Sequence, residues 1–145
     1  MSKLQTIIES ADKFYNSGCN CAEGITTAFQ KAYPEQIDVC IIPMSSNFGG
    51  GIASGCVCGA LAGATMVIGA LSGRTCPQDK PKSEVMDLSK EFVELAKSKL
   101  NSCCCSEIKV GDLGATGEYS NCTRVITTTA KILAEFLASK NLIKI

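Results

Sequence analysis

The chain has 145 residues, 46% of them apolar and 19% charged, with a mean hydropathy of +0.17. That excludes a disordered chain and fits a single domain spanning residues 1–145. Fourteen basic residues balance fourteen acidic ones, so the basic face that a nucleic-acid partner needs is missing. There is no histidine, which excludes Ser-His-Asp and Cys-His catalysis, zinc sites with a His ligand, and axial His ligation of haem.

Lys3 to Asn16 places Leu4, Ile7, Ile8, Ala11, Phe14 and Tyr15 on one stripe, the spacing of an amphipathic helix, and Gly18 ends it. A second helix is predicted from Asn20 or Cys21 through Ile25, Phe29 and Ala32, before Pro34. Val39 to Gly73 holds no charged residue and divides at the glycine hinge Asn47-Phe48-Gly49-Gly50-Gly51. Ile52 to Leu71 then reads as a buried central helix, with a membrane span as the alternative; Gly, Ala, Ser, Thr and Cys dilute it too much for a lone span. Gly55, Gly59 and Gly63 recur every four residues on one side of that helix. Each costs roughly 1 kcal/mol against Ala, so another helix, a cofactor or a second subunit in a homodimer must approach that face.

Arg74 to Pro81 is a polar turn, and Ser83 is the expected N-cap of the next helix, with Val85, Leu88, Phe92, Leu95, Ala96 and Leu100 as its core stripe. Cys103-Cys104-Cys105 and a loop around Gly111, Gly114 and Gly117 follow. The last helix is predicted from Ser120 or Asn121, packing through Val125, Ile126, Ile132, Leu133, Phe136 and Leu137. No segment alternates with period two, so the fold class is all-α: a bundle of about five helices around a central glycine-striped helix.

Ten cysteines stand out. The N-terminal stretch has no apolar core of signal-peptide length, so a cytoplasmic location is expected, where cysteine clusters bind metal or do redox work rather than form disulfide frameworks. Cys21, Cys58, Cys105 and Cys122 each fall at or near a predicted helix start. There the dipole and unpaired N–H groups stabilise thiolate, and would also favour an anionic cluster. No C-x-x-C occurs, so any site must be assembled from distant segments. For Cys40 and Cys76 a buried small apolar residue and a loop thiol are the expected roles. Glu23 is expected to be a solvated helix-start carboxylate, while Glu118 and Tyr119 offer little support for acid–base catalysis.

Asn20-Cys21-Ala22-Glu23, Phe48-Gly49-Gly50-Gly51-Ile52 and Cys58-Gly59-Ala60-Leu61-Ala62-Gly63-Ala64 resemble the motifs of the C_GCAxxG_C_C family of redox-active proteins. The resemblance covers nearly the whole chain and places four signature cysteines on Cys21, Cys58, Cys105 and Cys122, although three adjacent cysteines compete for the third place. It implies a redox role, and supplies a site more than a reaction. Cys19, Cys56, Cys103 and Cys104 are extra thiols beside the signature set, and Cys56 replaces the glutamate usual two residues before the central cysteine.

Three readings follow. The first is an iron–sulfur protein, with a 2Fe–2S or 4Fe–4S cluster on the four signature thiolates passing single electrons to a redox partner protein. The second is thiol–disulfide chemistry, with a low-pKa Cys58 or Cys21 attacking and Cys56 or Cys19 resolving. The third is a four-cysteine zinc site, structural or a carrier for soft metals, without redox activity.

Overall fold

The computed structural model describes residues 1–109 and 122–145. The expected glycine loop at Gly111, Gly114 and Gly117, the helix start at Ser120 or Asn121, and Glu118 and Tyr119 lie outside the described residues. Among the described residues there are seven helices and no strand: α1 (Lys3–Asn16), α2 (Cys21–Ala32), α3 (Ile41–Ser45), α4 (Gly59–Ser72), α5 (Lys82–Leu100), α6 (Cys105–Lys109) and α7 (Thr123–Ser139). Five are long and two are about a single turn, which is the all-α bundle that the periodicity predicts.

The amphipathic stripe of α1 buries Ile7 and Ala11 against α2 and α7. Helix α4 runs through the middle, against α2, α5 and α7, with Ala60, Leu61, Ala64, Val67 and Ile68 all buried. Phe92 of α5 meets Phe136 of α7 with ring centroids 5.6 Å apart, in a tilted arrangement that suits the opposed ring edges and faces. At 14 residues, α4 is roughly 21 Å long, short of a hydrocarbon core of roughly 30 Å. No described helix is long and apolar enough to cross a membrane.

Three expectations need correction. The central helix starts at Gly59, not Ile52, because Gly50, Gly51, Ile52 and Ala53 all adopt the left-handed conformation, with φ of 64°, 67°, 59° and 54°. For Ile52 and Ala53 that costs roughly 1–2 kcal/mol each, and Ile52 is left exposed rather than buried. Gly55 therefore stands outside the helix. Helix α5 starts at Lys82 after Pro81, not at a Ser83 cap, and Leu95 of its expected core stripe is exposed. Pro81, with φ −59° and ψ 141°, takes the N-cap position itself, so the helix begins two residues earlier than the cap signal indicates.

Gly59 and Gly63 do lie on one side of α4, and their space is taken within the chain. A methyl group on Gly63 would sit 2.9 Å from the Ala22 carbonyl oxygen, and one on Gly59 would overlap Cys21 Sγ. The missing side chains let the start of α2 press directly onto α4. This removes the stripe as a reason to expect a homodimer.

Candidate functional site

Three local devices hold the four signature cysteines. At α2, Asn20 is the N-cap: its Oδ1 accepts the Glu23 N–H at 2.9 Å while Glu23 Oε1 accepts the Asn20 N–H at 2.9 Å. Ser46 Oγ donates to the other Glu23 oxygen at 2.9 Å, and Asn20 Nδ2 donates to the Ser46 carbonyl at 2.8 Å. Glu23 is therefore a half-buried clamp rather than a solvated carboxylate, and Cys21 follows the cap as the first residue of the helix.

At α4 the N-cap position belongs to Cys58 itself. An antiparallel bridge between Val57 and Cys104 fixes it, with the Cys58 N–H donating to the Cys103 carbonyl at 2.8 Å and the Cys105 N–H donating to the Cys56 carbonyl. The same bridge therefore delivers Cys105 to the start of α6. Cys122 occupies the N-cap position of α7, and its N–H donates to Tyr15 Oη at 3.2 Å, tying the end of α1 to the start of the last helix.

Cys21, Cys58, Cys105 and Cys122 line a single cavity of about 270 Å³. Tyr15, Asn20, Ile108 and Val125 complete the walls, with Gly50 and Gly59 where backbone comes close. Cys58 and Cys105 are buried, at 5% and 7% exposure, and Cys21 and Cys122 are half-buried. Among the described residues, no three Cys, Asp or Glu side chains are grouped tightly enough to hold one metal ion. The four cysteines border a cavity instead.

Burial pushes the Cys58 thiol up from 9.0 to about 12; the N–H groups of Leu61 and Ala60 offset part of this, while Cys21 and Cys105 add to it. This corrects the expectation of a low-pKa Cys58. The helix start acts on the sulfur in the expected sense, but desolvation of a thiolate in a dry cavity outweighs it. Burial likewise raises the Tyr15 phenol above 10.0, partly countered by the Cys122 N–H, with Cys122 and Cys21 raising it further. By its spacing in the sequence, Tyr15 belongs only to the apolar stripe of α1. Nothing local could have revealed its role, because its partner is 107 residues away.

The extra cysteines stand outside this lining. Cys56 is exposed, Cys19, Cys103 and Cys104 are half-buried, and no disulfide joins any of the ten. Burial, then Glu23, raises the Cys19 thiol. Cys104 is lowered by its hydrogen bond with Ser106, 3.2 Å away, and by the Glu107 N–H. Cys40 is exposed rather than buried, its N–H held by Asp38 at 2.8 Å, and Cys76 is exposed in the α4–α5 turn. Of the three adjacent cysteines, it is Cys105 that reaches the cavity.

The family described as "Putative redox-active protein (C_GCAxxG_C_C)" matches residues 19–136. The chain belongs to that family. The match takes in all four cavity cysteines and the glycine turn between them. No curated protein and no solved structure matches the chain.

Proposed function

We propose that the cavity binds an iron–sulfur cluster through Cys21, Cys58, Cys105 and Cys122, and that the protein passes single electrons to a partner. The observation carrying this reading is that four cysteines from four helix starts line one small, largely apolar cavity. Four thiolates are the ligand set of both 2Fe–2S and 4Fe–4S clusters, and a cluster spreads those ligands over several iron atoms. A single zinc ion needs all four sulfurs about 2.3 Å from one point, and among the described residues no three such side chains are grouped to hold one ion. When bound, such a cluster supplies one-electron oxidation and reduction.

The chain's own groups have definable tasks. The N–H groups of Ala60 and Leu61 face the Cys58 sulfur and favour negative charge there. Ile108 and Val125 add apolar surface to the cavity lining. The Cys122 N–H holds the hydroxyl of Tyr15, which is part of the lining. Loading requires Cys58 to give up a proton that it otherwise holds to about 12, so binding releases protons and strengthens as pH rises.

The test is iron, zinc and acid-labile sulfide per chain, with a visible spectrum, on protein purified without oxygen. Iron and sulfide in equal amounts, and their loss in Cys58→Ser, are the expected result. Colourless wild-type protein that stays free of iron after reconstitution would overturn the reading.

A further inference from the structure

The bridge between Val57 and Cys104 has a second consequence. In antiparallel pairing the residue before Val57 stands opposite the residue after Cys104, so Cys56 faces Cys105 and is joined to it by the Cys105 N–H to Cys56 carbonyl bond. Opposed residues that exchange both bonds have Cα atoms about 5.5 Å apart, inside the roughly 4.4–6.8 Å window of a disulfide; here one of the two bonds is made, and the Cys56 N–H donates to the Gly51 carbonyl at 2.9 Å instead. By contrast, Cys56 and Cys58, two apart along an extended segment, are separated by roughly 6.6 Å at strand rise, near the limit of that window. Gly51 lies against the pair: a methyl group there would sit 2.5 Å from Cys56 N and 2.7 Å from Cys105 Cβ. Exposure is uneven, since Cys56 is exposed and Cys105 is buried in the cavity wall. The other opposed pair, Cys58 with Cys103, has no exposed member to meet a reagent from solvent.

We propose that Cys56 and Cys105 form an exchangeable dithiol, a modification site at which a small-molecule disulfide is reduced and Cys105 is withdrawn from the cavity. The Cys56 thiolate attacks one sulfur of the disulfide, breaking its S–S bond and releasing one thiol. The Cys105 sulfur then attacks Cys56, breaking the mixed disulfide and releasing the second thiol as the Cys56–Cys105 bond forms. Two electrons pass from the dithiol to the small disulfide, and the two protons leave on the released thiols. The effect on the cavity rests on the cluster reading; the disulfide itself does not.

The experiment treats the full-length, metal-free chain without oxygen with oxidised glutathione, then maps disulfides by mass spectrometry of non-reduced peptides. A peptide pair joining Cys56 to Cys105, absent in Cys56→Ser, is expected. A Cys56–Cys58 link, or glutathione left on Cys56 with no link to Cys105, would overturn the dithiol. Each form is then reconstituted with iron and sulfide. Oxidised wild type should load less iron by at least the ~10-fold that loss of an outer-shell partner costs a metal site, while Cys56→Ser given the same treatment loads like reduced wild type. Equal loading of oxidised and reduced wild type would overturn the withdrawal of Cys105. Loading by no form would sink the cluster reading and that control with it, and would leave the mapped dithiol standing.

Discussion

The chain contains two C-x-C segments that echo each other, and the fold uses them in opposite ways. In Cys19-Asn20-Cys21 the middle residue caps α2, so the Glu23 N–H is taken by Asn20 and Cys21 sits half-buried beyond the cap. In Cys56-Val57-Cys58 the middle residue has no capping group, the second cysteine occupies the N-cap position, and the helix N–H groups point at its sulfur. One segment is fastened by side-chain hydrogen bonds, the other by a backbone bridge to Cys103-Cys104-Cys105. A shared spacing therefore says where the second thiol falls. The intervening residue and the pairing partner decide what that thiol experiences.

The largest effect that can sharpen this contrast is pH. The folded chain holds the Cys58 proton to about 12, whereas an unfolded chain releases it near 9.0. Metal-free protein should lose stability as pH rises past 9, by about 1.4 kcal/mol per unit up to about 12. Urea denaturation across that range should show this slope, and Cys58→Ala should flatten it. A Cys58→Ala chain with the wild-type slope would place the titration elsewhere and break the contrast.

Next comes Gly59, where the two segments touch. Gly59→Ala would drive a methyl group into Cys21 Sγ and within 2.7 Å of the Phe48 carbonyl oxygen. It should cost about 1–3 kcal/mol, read as a lower midpoint in thermal unfolding of the metal-free chain. A neutral result would mean that the start of α2 can retreat from α4. The smallest effect is expected for Asn20→Ala, about 1 kcal/mol from the lost cap. The same change at Val57 should leave helix-start stability unaffected, and circular dichroism during urea unfolding separates the two.

The sequence makes the bundle legible because α1 and α7 bury whole stripes, Ile7 with Ala11 and Val125 with Ile126, Leu133 and Leu137, that any reader of period 3.6 finds. The cap residue Asn20 likewise marks where Cys21 must fall. Ile52 defeats the same method, since an apolar β-branched residue argues for a helix or strand while the backbone takes a left-handed turn. The cavity itself was legible only as four helix-start thiols. Their meeting depends on pairings 47 and 107 residues apart, Val57 with Cys104 and Tyr15 with Cys122, which no local spacing encodes. Which of three adjacent cysteines faces inward is settled by the register of that one bridge.

The bond from the Cys122 N–H to Tyr15 also sets an order of events during synthesis. A chain grows at roughly 5–20 residues per second, so Tyr15 and Cys21 emerge several seconds before Cys122. Until then the first C-x-C segments can meet soft metal ions but have no closed wall around them. On the cluster reading proposed above, the full set of four ligands exists only once α7 has docked.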